Sequence, residues 1–138
     1  MDDGEIRSRN LECLRQAFAG VSAADADLMM ANYTDDLVME LPYGDGPSRL
    51  EGREAVRSYL RAAFKLFRFR LDITAVHDTL DPNMAVVEYV SDGRVTTTSK
   101  RYANVYIGVY WFRDGLICRV REFFDPIPAV QALTPDGG

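Results

Sequence analysis

The chain has 138 residues, of which 47% are hydrophobic, 11% aromatic and 27% charged. That is the balance of one ordinary globular domain, and it excludes a disordered, collagen-like or disulfide-stapled chain. With 16 Lys and Arg against 21 Asp and Glu, the formal net charge is −5, which argues against nucleic acid as a partner because little is available to neutralise a run of phosphates.

Cys13 and Cys118 are too few for a disulfide framework and lie in apolar, periodic surroundings, so both read as small core residues. No apolar run approaches the roughly 20 residues needed to span a bilayer, and no charged-then-apolar leader opens the chain. The expectation is a cytoplasmic protein that does not enter a membrane.

From Glu5 to Ala19, the residues Ile6, Leu11, Leu14, Ala17 and Phe18 recur at helical spacing, and Gly20 is expected to end this first helix. Ser22 reads as the N-cap of a second, short helix running to about Tyr33. Asp35-Asp36 reads as a turn, and Leu37 to Leu41 as a strand closed by Pro42. Tyr43 to Gly52 carries three glycines and a proline and reads as a loop. Glu54 to about Phe67 is the third helix, with Val56, Tyr59, Leu60, Ala63 and Phe64 on one face.

The rest reads as sheet. Phe69, Leu71, Ile73 and Ala75 alternate with polar residues, Asp81-Pro82-Asn83 is a turn, and Met84 to Ser91 is a strand. Asp92-Gly93 signals another turn, Arg94 to Phe112 another strand, and Arg113-Asp114-Gly115 turns the chain into Leu116 to Phe124. The proline-rich tail from Pro126 is expected to fray. Helices first and strands after make an α+β order, a curved antiparallel sheet wrapping three N-terminal helices as a cone with an interior.

Three segments carry a resemblance: "ANYTDDLVMELPYG" after the second helix, "LEGREAVRSYL" opening the third, and "YWFRDGLICRVREFFDP" across the last hairpin. With the element order, they make the chain resemble the nuclear transport factor 2-like (cystatin-like) superfamily over nearly its whole length, as one domain, residues 1–138. Within it the chain is similar to SnoaL-like polyketide cyclases, ketosteroid isomerases, phenazine-biosynthesis A/B proteins and limonene-epoxide hydrolases. The resemblance implies a conical barrel with a deep apolar pocket, usually in a homodimer built through the outer sheet face.

Residue by residue, the resemblance separates these activities. The steroid isomerases' base falls on Leu41, their oxyanion-hole acid near Gly108 and their helix-one tyrosine near Ala17, so that trio is missing. The Arg-x-Asp pair of the epoxide hydrolases falls on Tyr89 and Ser91, their last-strand aspartate on Glu122, and the asparagine that holds their water on Glu40. The phenazine proteins' "REF" string matches Arg121-Glu122-Phe123 directly, while their helix-three histidine falls on Tyr59. An acid/base aspartate of SnoaL-type cyclases lies on the same last strand.

Alternation alone puts Cys118, Val120 and Glu122 on one face of the last strand. If that face is interior, Glu122 is a carboxylate in a low-dielectric cavity, with its pKa raised toward the range useful for proton transfer. Glu40 shares its parity with Val38 and is a candidate second carboxylate in the same cavity. Tyr89, and Tyr102, Asn104 and Tyr106 of the following strand, are candidates to orient a substrate oxygen, and Tyr43 and Tyr59 are expected at the mouth. His77 reads as an exposed turn residue, and one histidine without spaced cysteines leaves too few ligands for a metal. Trp111 and Phe112, near Arg119 and Phe123, read as a possible dimer face.

The expected function is cofactor-independent acid/base catalysis, an isomerisation, cyclisation or dehydration of a small apolar carbonyl compound of polyketide or terpenoid kind in secondary metabolism. Epoxide hydrolysis by Glu122 and Glu40, and small-molecule binding without catalysis, are the alternatives.

Overall fold

A computed structural model describes residues 1–44 and 46–137. Helix α1 (Asp3–Ser22) opens on a capping box in which Glu5 N–H donates to the Asp2 side chain at 2.8 Å and the Glu5 carboxylate returns to the Asp2 backbone. It runs through Gly20, because this glycine serves the approach of the next helix: a Cβ here would lie 2.5 Å from the Met29 nitrogen. Ala24 turns the chain at φ 52°, and Asp25, not Ser22, caps α2 (Ala26–Met30) through the Leu28 N–H.

Strand β1 (Tyr33–Glu40) begins where the second helix was expected to end, and the expected Asp35-Asp36 turn lies inside it. A short strand β2 (Arg49–Glu51) interrupts the expected loop, and α3 (Arg53–Leu66) buries Val56, Leu60 and Phe64. Then come β3 (Phe67–Asp78), β4 (Met84–Val95), β5 (Arg101–Arg113) and β6 (Leu116–Phe124).

The six strands form one curved sheet in the order β2-β1-β6-β5-β4-β3. It is open, with β2 and β3 at its edges, so the expected barrel is not closed. It is also not purely antiparallel: β1 runs parallel to β6, with Met39 opposite Val120 and Glu40 opposite Arg121. The helices fill the concave face, where Leu14, Met30, Leu37, Val56, Val87 and Ile117 are almost wholly removed from water.

Three further expectations change. Asp92-Gly93 is no turn but lies inside β4, where a Cβ on Gly93 would meet the Arg68 carbonyl at 1.9 Å. The chain turns instead after Val95, with Ser99 at φ 61°. The tail folds as α4 (Ile127–Leu133), because Pro126 and Pro128 occupy positions at the helix start where a missing N–H costs little. Thr98 Oγ1 donates to the Ala132 carbonyl at 2.5 Å and Lys100 Nζ to the Thr134 carbonyl at 2.6 Å, so the β4–β5 turn holds α4 against the sheet.

Candidate active site

A cavity of about 250 Å³ lies between the concave sheet face, α1, α3 and α4. Its wall is apolar, with Phe18, Met39, Leu60, Phe64, Val120 and Leu133 among its residues. Among the described residues that line it, Glu122 is the only carboxylate, and there is no Lys, Arg or His.

Strand β6 places Glu122. Ile117, Val120, Glu122 and Phe124 face inward, while Arg119 and Arg121 face out. Simple alternation fails at Cys118, because the pairing shifts between Trp111 and Phe112 and leaves this residue out of register. Cys118 is therefore only half-buried, its thiol 3.5 Å from the Trp111 carbonyl, whereas Cys13 belongs to the core. Alternation in β5 runs unbroken to Phe112, which shares the inward parity of Tyr110 and is buried, so of the expected outer aromatic face Trp111 and Phe123 remain.

Burial pushes the Glu122 carboxyl above its ordinary value, and the hydrogen bond from Tyr89 draws it part of the way back. Tyr89 is fully buried and its hydroxyl lies 2.5 Å from Glu122 Oε1 and 3.1 Å from the Tyr110 hydroxyl. With Glu122 ionised, the single Tyr89 proton goes to the carboxylate, so Tyr110 donates to Tyr89. Both phenols are held well above their ordinary pKa, by burial first and then by neighbouring charge.

A second string crosses the cavity floor. The Asn104 amide donates at 2.9 Å to the Tyr102 hydroxyl and at 2.9 Å to the Asp125 carbonyl, while its own oxygen accepts from the Val105 N–H. The amide orientation is thus fixed, and the order follows: Tyr102 donates to Tyr106 at 2.7 Å, and Tyr106 to Ser91 at 2.9 Å. The two strings touch where the Tyr89 and Tyr106 rings stack, 5.1 Å apart.

Of the residues singled out in the sequence, Glu122, Tyr89, Tyr102, Tyr106 and Tyr59 come together at or behind the cavity wall. Glu40 does not. The inward residues of β1 are Leu37 and Met39, so Glu40 points to the convex face, where Arg119 Nε donates to it at 2.7 Å and Arg121 approaches at 3.4 Å. Burial there pushes its carboxyl up, but the two guanidinium groups outweigh burial and hold it below the ordinary range. No water can bridge Glu40 and Glu122 across the sheet, so the paired-carboxylate arrangement is not formed.

Tyr43 is 60% exposed and packs on Phe123 outside the cavity, while Gly44 and Gly46 after it line the cavity. Asn104 lies behind the wall with its amide fully engaged, not on it. His77 is exposed as expected, but it lies within β3 opposite Val86 and not in a turn, 2.6 Å from Glu88. Sequence reasoning missed Tyr33, which lines the cavity from the start of β1, and took no site role from Tyr110. Placing Tyr33 at a helix end hid it, while Tyr110 shares the parity of Tyr102 and Tyr106.

The chain belongs to the SnoaL-like domain family, whose model matches residues 14–120. It is 33% identical over 98 residues to an uncharacterised PhzA/B-like protein of Pseudomonas aeruginosa, a match covering 70% of each chain. Among solved structures, a provisionally assigned isomerase from Bacillus subtilis superposes with a TM-score of 0.87 at 28% identity, over 96% of this chain and 95% of that one. A provisionally assigned polyketide cyclase from Xanthomonas campestris gives 0.81 at 25% identity, over 94% and 99%. The fold is therefore one shared with proteins of isomerase and cyclase type. No helix is long and apolar enough to cross a membrane among the described residues.

Proposed function

We propose that the chain is an acid/base enzyme that moves a proton within a small apolar carbonyl compound, with Glu122 as the group that takes and returns it. The observation that carries this reading is a carboxylate with no cationic partner among the described residues, set in an apolar cavity and held by one phenol. Such a group is a stronger base than an exposed carboxylate, because burial raises its pKa.

Isomerisation, cyclisation and dehydration all need this step. A C–H bond beside a carbonyl breaks, its proton passes to Glu122, and its electron pair becomes the enolate. The carboxylic acid then returns the proton to carbon, or to a leaving oxygen. A polyketide or terpenoid intermediate of secondary metabolism fits the cavity's apolar wall. Tyr89 orients Glu122, while Tyr59, Tyr102 and Tyr106 meet the substrate. The chain would act in the cytoplasm without a cofactor, as a homodimer through the convex sheet face, where Val105 is 67% and Ile107 44% exposed.

The test is hydrogen–deuterium exchange at carbon in a panel of uncharged ketones, followed by mass spectrometry. Exchange that disappears in Glu122→Gln supports catalysis. Binding without exchange, or exchange that survives the substitution, points instead to a binding protein.

A further inference from the structure

The phenols around the cavity differ in whether their protons are already committed. Tyr110 and Tyr89 pass theirs toward Glu122, and Tyr102 and Tyr106 pass theirs toward Ser91. Tyr33 and Tyr59 also line the cavity, but neither hydroxyl has a hydrogen-bond partner among the described residues. We propose that Tyr33 and Tyr59 are the donors that hold the substrate's oxygen, and that the site selects an uncharged carbonyl compound and rejects carboxylates.

The selection follows from the wall. A ligand carboxylate would share a low-dielectric space with Glu122 and meet no Lys, Arg or His among the described residues that line it. A neutral carbonyl oxygen needs only the donors that Tyr33 and Tyr59 have free. As the α C–H bond breaks, the carbonyl π pair moves onto that oxygen, and the two phenols stabilise the developing charge. Both feel the Glu122 charge, after burial the next largest influence holding their protons on oxygen, so they donate and do not ionise. The oxygen-holding role rests on two cavity-lining hydroxyls with no hydrogen-bond partner among the described residues, and only the proton step rests on the Glu122 reading.

The probe is 2-acetylnaphthalene, an uncharged aryl methyl ketone, with naphthalene-2-carboxylate as its anionic counterpart. In the wild-type protein the ketone's C=O infrared band should move to lower frequency than in an apolar solvent. Its affinity at pH 8 should exceed that of the carboxylate by tenfold or more. Tyr33→Phe and Tyr59→Phe should each reverse part of the band shift while the ketone still binds, and thermal unfolding confirms that each variant is folded. Glu122→Gln should keep the band shift and relax the discrimination against the carboxylate, whatever it does to exchange. An unshifted band, a shift untouched by both tyrosine variants, equal binding of the carboxylate, or no binding of the ketone would overturn the proposal. Loss of exchange in Glu122→Gln with an unshifted band would retain the base and discard the oxygen site.

Discussion

Gly108 and Tyr89 share one space. A Cβ at residue 108 would lie 2.8 Å from the Tyr89 hydroxyl and 2.5 Å from the Tyr110 ring, and Gly108 is the cross-strand partner of Glu122. The missing side chain on β5 is what lets a phenol from β4 reach across to a carboxylate on β6.

Gly108→Ala should therefore displace Tyr89 and cost about 1–3 kcal/mol, the usual range for overpacking a filled core. The Tyr89 hydrogen bond pulls the Glu122 carboxyl down, so both Gly108→Ala and Tyr89→Phe should raise its apparent pKa further. Urea denaturation and a carboxyl titration of each variant check the two effects. An unmoved titration in Tyr89→Phe would mean that the bond does not govern Glu122.

Glu122 also leaves a signature in stability. Its folded pKa is raised, so the folded state keeps the proton above the ordinary carboxyl value of 4.5, where an unfolded chain loses it. Its contribution is complete below the ordinary value and drains as pH rises through the raised one. Glu122→Gln should match the wild type below the ordinary value of 4.5, and exceed it by a gap that grows as pH rises above 4.5 and levels off past the raised pKa. Denaturation midpoints measured across that range would show the gap, and a gap of the opposite sign would contradict it.

Glu40 should behave in the opposite sense. Its folded pKa is lowered, so its stabilisation is present above the ordinary value of 4.5 and lost as pH falls through the lowered one. Its side chain is 17% exposed, but Arg119 and Arg121 are 39% and 35% exposed, which weakens the cluster through solvent screening. Glu40→Gln should cost about 1 kcal/mol near neutrality, less at low pH, and leave the Glu122 titration unmoved. A shifted Glu122 titration would mean that the two carboxylates communicate through the sheet.

The convex face carries the dimer reading. Val105→Lys with Ile107→Lys places two charges on exposed apolar positions without touching the core. Sedimentation should show the wild type as a dimer and the double variant as a monomer of unchanged helix and sheet content. A wild type that sediments as a monomer would remove the dimer from the account.

The fold was legible where period and chemistry agreed. Alternation gives Tyr102, Asn104, Tyr106 and Tyr110 one parity, and the structure turns that parity inward, while the Arg113-Asp114-Gly115 turn stands where the residues placed it. Glu40 was misplaced because Leu37 to Leu41 is apolar at both parities, so only the pairing with β6 reveals which face is buried. Cys118 failed for a bulge that no local pattern announces. Asp92-Gly93 has the chemistry of a turn, but this glycine serves a close strand approach, and the prolines of the tail start a helix. In the site, Glu122 and Tyr89 could each be picked out, but the bond between them spans three strands and depends on Gly108.

The most direct test of Glu122 as an uncompensated carboxylate is its own titration, by carbon-13 NMR of glutamate carboxyls with the resonance assigned by its loss in Glu122→Gln. An apparent pKa above the ordinary 4.5 is the predicted result. A value at or below it would contradict the account, because the carboxyl would then be hydrated or paired, and no longer the base that the cavity requires.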